Sequence, residues 1–580
     1  MPTLRLANLA ALRHPVSVDT YVEQTLSGAK AVLVRLIGGV GYWPYGIASL
    51  QDLARRRGIA LAVLPADGRE DAALDAASTL PVSTLRRLQA LCDAGGAVAA
   101  QAALAQLSLA AGLFAGPVPG LKSVPEFGWY DPDRGVIPAP EGAEAVAVFY
   151  RSYLTAADTD PIDCLLRAAR ARGIAAYGLF APSLKAPGAA EWVGQALKGR
   201  PLRWIWNATA FSSREDGVSP LDGPGCPVFQ LALSTARRRD WETAERGLSP
   251  ADLAMHVVLP EVDGRLFAGV ISFKSPGARD GDLQYSRFAH RADPARIEAV
   301  LDRAAGWNRL AETPAGGHSL ALILSTYPGR PDQIAHAVGL DALASAQAVL
   351  AGLAGAGYAT APGAALAPAL LSERVVWPLA EYEAALARLP QRLQEALAAA
   401  WGPPQDDPAC RDGGFHFAAT RRGAVLVALQ PDRGEVAARA TDYHDLSRTP
   451  CHGYVAFYLW LRAQRLHAAI HMGAHGTLEW LPGKAVALSE TCWPEALQRD
   501  LPVIYPFIVN DPGEAAQAKR RLCAVTLGHL PPPLAASTLP PALEGLERLL
   551  DEYSTADGLD PSRRQRLILA IREAARSGRR

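Results

Sequence analysis

The chain lacks the cysteine pairing of a disulfide framework or a zinc ribbon. Its seven cysteines, at 92, 164, 226, 410, 451, 492 and 523, form no CxxC and are odd in number. That fits reduced thiols in a cytoplasmic protein. An excess of either charge is also missing. The 58 Lys and Arg balance the 58 Asp and Glu, so charge gives no argument for nucleic acid or an acidic partner. No GxxxxGK[ST] phosphate loop occurs: Gly483-Lys484 has neither the upstream glycine spacing nor the Ser/Thr. Any ATP its chemistry consumes is therefore expected to be hydrolysed on another subunit. No signal peptide is visible, because Arg5, Arg13 and His14 interrupt the apolar start. Two long stretches lack charge, Ala97 to Gly120 and Ala342 to Ser372. Both are mostly Ala and Gly, broken by Gln101, Gln106 and Pro117 in one and by Pro362 and Pro368 in the other. They read as buried helices and loops, not membrane spans.

What is present is an α/β pattern. The 580 residues are 49% apolar and 20% charged, ordinary for a globular protein and long enough for roughly three to five domains. Apolar runs at 31–39, 60–65, 145–150, 174–180, 203–209, 227–233, 321–327, 424–430 and 468–473 alternate with helical patterns near 46–57, 161–172 and 341–354. The expected fold class is α/β, multidomain, with several parallel-sheet units and helical insertions. Ser249-Pro250-Ala251-Asp252, Thr159-Asp160-Pro161, Asp511-Pro512-Gly513-Glu514 and Asp560-Pro561 mark helix starts. Breaks at 114–142, 275–318, 403–414 and 531–541 suggest five regions. These are an incomplete N-terminal α/β region (1–120), an α/β domain (121–275) and an α/β domain with Ala-rich helices (276–410). A motif-bearing α/β region (411–530) and a hinge with a C-terminal helix (531–580) complete the chain.

The densest chemistry lies between His471 and Arg521. Five of the twelve histidines fall between 444 and 475: His444, His452, His467, His471 and His475. The apolar strand from Ala468 ends on His471. Gly473 and Gly476 bracket His475, and Thr477 can cap a short turn carrying Glu479 before Pro482-Gly483 ends it. Ligands of α/β sheets sit just past strand ends, so imidazoles and a carboxylate are expected at such an edge. Imidazole suits mid-row divalent metals, and a carboxylate serves as ligand or base. The spacing is H-x3-H-x3-E and not HExxH, which disfavours a zinc protease. His467 reads as a residue that satisfies the backbone. Trp480, Trp493, Tyr505 and Phe507 offer aromatic faces, and Lys484, Lys519, Arg520 and Arg521 offer cations for ligand carboxylates. The plainer reading makes the aromatics core and the basic run a solvated helix face.

The runs HMGAHGTLEWLPGK (471–484), SETCWPEA (489–496), YPFIVNDPGEAAQAKRR (505–521) and HGYVAFYLWLR (452–462) resemble the large subunit of aerobic cobaltochelatase, the CobN family, itself related to the large subunit of magnesium chelatase. The resemblance extends through GGVGYWPYG (38–46), FYRSYLTAADTDPID (149–163), NATAF (207–211), GLSPADLAMHVVLPEVDGR (247–265) and AVGLDALAS (337–345), nearly the whole chain. It implies ATP-dependent insertion of Co2+ into hydrogenobyrinic acid a,c-diamide, in aerobic cobalamin synthesis. ATP and Mg2+ would sit on an AAA+ motor subunit and its companion, and the large subunit would hold the tetrapyrrole. In the magnesium branch the motif tends to read SLEF-MPGK, whereas Thr477 to Lys484 here resembles the cobalt branch. The glutamate matching Glu479 is implicated in catalysis there. The resemblance therefore implies Glu479, His475 and His471 as catalytic and metal-handling residues. Trp480, Lys484, Trp493, Tyr505, Asn510, Lys519 and Arg520 are implied to bind substrate.

Two departures qualify it. Gly329, Gln333 and His336 stand where the family has an Asn/Gly-rich run, and no role is carried onto them. Family chains are also about twice as long, so a truncated, split or frameshifted copy is expected. Magnesium insertion into protoporphyrin IX and a non-catalytic tetrapyrrole-binding fragment are the alternative readings.

Overall fold

Apolar runs without polar alternation become strands covered on both faces, while polar or glycine-punctuated runs become sheet edges. The computed structural model describes residues 3–117, 123–215, 217–325, 335–337, 340–434, 446–473, 476–508, 512–529, 541–555 and 561–577. It divides into two compact units, 1–529 and 530–580.

In the first unit, β1 (Ala31–Leu36) and β2 (Ala60–Pro65) pair in parallel, with the helix Pro44–Arg57 between them in the chain. An eight-stranded sheet follows. It contains β3 (Gly128–Asp131), β4 (Gly135–Ile137), β5 (Ala145–Tyr150), β6 (Ala176–Ala181), β7 (Trp204–Asn207), β8 (Val228–Ser234), β9 (Leu266–Asp280) and β10 (Tyr285–Ala292), in the order β10-β9-β8-β7-β5-β6-β3-β4. Alternation puts Phe149, Trp204, Trp206 and Phe229 on one face, and Val146, Val148 and Ile205 on the other. The centre is parallel, as the sequence leads one to expect, but both edges are antiparallel. β9 runs through Pro276 and Gly277 before turning into β10, with a register shift between Ser286 and Phe288. The helix Pro294–Glu312 follows, capped by Asp293, whose carboxylate accepts the Arg296 N–H. The stretch 275–318 thus carries a hairpin and a long helix.

The second large sheet begins with β11 (Leu320–Leu324). β12 (His336–Ala337) and β13 (Leu340–Asp341) form a short antiparallel pair, and β14 (Val375–Pro378), β15 (Cys410–Arg411) and β16 (Gly414–Phe417) a small antiparallel sheet. β17 (Ala419–Arg422), β18 (Val425–Leu429), β19 (Ala468–Met472), β20 (Val503–Ile508) and β21 (Val525–His529) join β11 in the order β17-β18-β11-β19-β20-β21. Only β17 runs antiparallel. Of these six strands β11 comes first in the chain, yet it lies inside the sheet. From it the chain goes to β18 on one side; from β19 it goes to β20 on the other. The connections diverge, which opens a crevice at the carboxyl ends of β11 and β19, the switch point where α/β sheets take ligands. The helix His452–Ala463, buried from His452 to Leu461, packs on the same side as His471.

The second unit contains the helices Pro541–Thr555 and Pro561–Ser577. His444, His475, Asn510 and Asp511, the hinge-like run up to residue 540, Gly329 and Gln333 lie outside the described residues, as does the Phe507 side chain. Among the described residues no helix is long and apolar enough to cross a membrane.

Candidate active site

β19 delivers His471 to the crevice on the face it shares with Tyr505 of β20, and the two rings stack with centroids 5.6 Å apart and planes 8° from parallel. Two residues on, Gly473 passes the end of β11 so closely that a Cβ would lie 2.6 Å from Ser325 Oγ. Glycine is required by this approach. The chain then returns at Gly476 into one 3-10 turn, Leu478–Trp480. Thr477 precedes that turn, but its hydroxyl bonds the Tyr454 hydroxyl at 2.7 Å and makes no capping bond. Gln430 extends this polar support, donating to Tyr454 and Tyr458.

Glu479 is completely buried. Its Oε1 accepts from Tyr505 Oη at 2.7 Å and from the Gly476 N–H at 3.1 Å, and Tyr505 Oη itself accepts the Gly476 N–H at 2.8 Å. Among the described residues its Oε2 has no hydrogen-bond partner. Burial, and then the negative charge of Glu514, push the carboxyl up to about 7. Glu514 is held by the Trp480 indole N–H at 2.6 Å.

His471 is the second unsatisfied group. Neither ring nitrogen has a hydrogen-bond partner among the described residues, and burial pushes the imidazole down to about 4, so it is neutral at physiological pH. A Cβ on Gly476 would lie 2.7 Å from His471 Cε1 and 2.6 Å from Glu479 Oε2. Imidazole and carboxyl therefore border one small space, kept open by the missing side chain. Ser325 Oγ, buried at the end of β11, has no partner among the described residues either. Four buried polar atoms without partners in one crevice run against the usual satisfaction of protein interiors, and such a cluster is the mark of a site that binds something polar. Among the described residues no group of three or more His, Cys, Asp or Glu could hold a metal ion. The crevice supplies an imidazole nitrogen, a carboxylate oxygen and a hydroxyl, not a preformed metal cage.

The other expected residues are dispersed. Lys484 Nζ donates to the carbonyls of Trp241, Glu242 and Ala244 at 2.6–2.9 Å and sits 5.0 Å from the Trp241 ring centroid, so its donors tie this segment to the eight-stranded-sheet region. Arg520 forms a two-pronged ion pair with Glu261. Arg521 is buried and donates to the carbonyls of Lys484, Glu479 and Leu481, fixing the turn that carries Glu479. Trp493 is core, packed with Leu478 and Leu481. Lys519 is half-buried in the helix Pro512–Leu522. His467 Nδ1 accepts the Ser319 N–H at 3.0 Å, the backbone role expected of it. Tyr454 and Glu514 lie within the quoted motif runs but are given no role there, and Ser325 and Gln430 lie outside those runs. Only Ser325 had a usable cue, its place just past an apolar strand in a sheet of this type.

The CobN/Magnesium Chelatase family model matches residues 107–579. The chain belongs to that family. It is 37% identical to the aerobic cobaltochelatase subunit CobN of Sinorhizobium sp, over 98% of this chain and 47% of the relative. It is 39% identical to the protein of that name from Pseudomonas aeruginosa, over 98% and 48%. Magnesium-chelatase H subunits are less similar, at 25–29% identity. The catalytic subunit of cobaltochelatase from Mycobacterium tuberculosis superposes with a TM-score of 0.69 and 29% identity, over 99% of this chain and 49% of that one. The chain spans about half the length of the curated relatives it matches.

Proposed function

We propose that this chain carries the metal-insertion centre of an aerobic cobaltochelatase, placing Co2+ into hydrogenobyrinic acid a,c-diamide. The observation that carries the reading is the pairing of buried His471 and Glu479 around one space, with both imidazole nitrogens and one carboxylate oxygen unsatisfied among the described residues. Insertion requires two pyrrole N–H groups to lose protons while Co2+, the substrate metal, sheds water. A buried carboxyl near 7 is half ionised at physiological pH and can accept those protons in turn. Neutral His471 offers a nitrogen lone pair to the arriving metal without first losing a proton. Tyr505, bonded to Oε1, fixes the carboxylate so that Oε2 faces the open space. On sequence grounds His475 is assigned to metal handling and Asn510 to substrate binding. Lys484, Trp493 and Arg520 act as supports, and Trp480 orients Glu514. ATP, with its Mg2+, is hydrolysed by an AAA+ motor and its companion subunit, since this sequence has no phosphate loop.

The test is a reconstitution of the chain with both motor subunits, ATP and the remaining half of a longer relative. Corrin metallation is followed by absorbance with Co2+ and, separately, with Mg2+ and protoporphyrin IX. Cobalt insertion that disappears in Glu479→Ala, with tetrapyrrole binding retained, supports the proposal. Insertion at an unchanged rate in Glu479→Ala refutes the assignment, and preferential Mg2+ insertion refutes the choice of metal.

A further inference from the structure

A second cleft opens at the opposite edge of the same sheet. His467, one residue before β19, lines it, whereas His471, near that strand's far end, lines the crevice described above. At about 3.3 Å per residue the four positions between them span roughly 13 Å. The cleft has a volume of about 1030 Å³ and lies between the helix Pro294–Glu312, the end of the helix His452–Ala463 and the turn after the helix Trp493–Gln498. That volume suits a small-molecule ligand.

Its arginines fall into two groups. Arg296 and Arg303 pair with Glu495, and Arg309 pairs with Asp500. The acids Glu298 and Asp302 are taken by Arg172. Arg388, Arg462, Arg465 and Arg499 line the cleft with no carboxylate partner among the described residues, against one unpaired acid, Glu490. Arg462 is half-buried and makes a single side-chain hydrogen bond, to the Ala496 carbonyl. Burial first, and then the charges of Arg499 and Arg388 against the opposing pull of Asp500, push it down to about 10. Like charges gathered around one half-buried arginine in a concave place repel one another unless an anion joins them. Arg465 and Arg499 also hold left-handed backbone, with φ of 52° each, a conformation that costs free energy in a non-glycine residue and concentrates at functional places.

We propose that this cleft binds a small polyanion bearing two or more phosphate or carboxylate groups, held by Arg388, Arg462 and Arg499. Guanidinium forks match both groups in two-pronged geometry. The site is separate from the insertion centre, at the other end of β19, and its ligand need not be the tetrapyrrole.

The test is isothermal titration of the intact chain with inorganic triphosphate and with citrate at physiological ionic strength. One-to-one binding of either, weakened at least about tenfold in Arg388→Gln/Arg499→Gln, supports the proposal, since each lost charge-assisted contact is worth about that factor. Both side chains are exposed, so this variant should fold; Arg462→Gln provides an independent second variant. Preference for triphosphate assigns a phosphate ligand, and preference for citrate a carboxylate one. No binding of either anion, or equal binding by the double variant, overturns the site. Binding of a poly-glutamate peptide but of neither small anion also overturns it, in favour of protein docking.

Discussion

Two buried histidines, nineteen positions apart in the chain, show how differently one residue type is used. His452 begins a helix in the core. Its Nδ1 bonds Tyr382 Oη at 2.6 Å and its Nε2 bonds the Gly402 carbonyl at 3.0 Å. His471 stands near the end of a strand at the switch-point crevice, and neither nitrogen has a partner among the described residues. Burial lowers the pKa of both. In the first, every polar atom is spent on the fold. In the second, the fold leaves them open beside a carboxyl whose ionisation it also opposes. That contrast, not burial or histidine content, separates scaffold from working site.

The largest effect expected from breaking the contrast is on activity. Glu479→Gln keeps the shape but cannot accept a proton, and insertion by the complete assembly should fall roughly 10²–10⁴-fold, the range for a lost general base. Single-turnover metallation reads this directly; a fall of less than about threefold would remove Glu479 from the chemistry.

Stability should split the two histidines. His452→Phe strands the Tyr382 hydroxyl and the Gly402 carbonyl and should cost about 2–4 kcal/mol. His471→Phe strands nothing and should cost less than about 1 kcal/mol. Urea denaturation of the two variants measures the gap, and equal losses would erase the distinction.

The pH profile sharpens it further. Glu479 is raised from 4.5 to about 7, so between those values the folded state keeps a proton that the unfolded state loses, and stability falls as pH rises. His471 is lowered from 6.5 to about 4, so in that window the unfolded state gains a proton that the folded state refuses, and stability falls as pH falls. The opposed slopes offset each other in wild type. Relative to it, His471→Phe should lose about 3 kcal/mol less on going from pH 6.5 to 4, and Glu479→Gln about 3 kcal/mol less on going from pH 4.5 to 7. Chemical denaturation across that range checks both, and profiles parallel to wild type would contradict the burial of these groups.

The smallest effect concerns support. Lys484→Met removes the donor shared by three carbonyls of residues 241–244 and should cost about 1–3 kcal/mol, without the large activity loss of Glu479→Gln. A loss of tetrapyrrole affinity at unchanged stability would restore Lys484 as a ligand-binding residue.

Much of this was legible from residues alone. Strands at 60–65 and 145–150 fall where the apolar runs lie, and the strand ending at His471 with the glycine-framed turn of Glu479 stands where expected. The antiparallel hairpin 266–292 was hidden because Pro276 and Gly277 read as punctuation; at an antiparallel edge with a register shift, both fit inside a strand. The roles of Lys484 and Arg520 were hidden for another reason. A sequence shows a cation but not its partner, and theirs lie more than 200 residues away, at 241–244 and Glu261. Likewise the strand end and the glycines mark His471, but nothing local shows that His452 is satisfied, because the Tyr382 hydroxyl it bonds comes from a helix 70 residues earlier.

The most direct test is the single-turnover rate of Co2+ insertion, per folded molecule in the complete assembly, for His471→Phe against His452→Phe. The expected result is loss of insertion in the first and the wild-type rate in the second. Wild-type insertion by His471→Phe would contradict the claim that the unsatisfied crevice is the insertion centre.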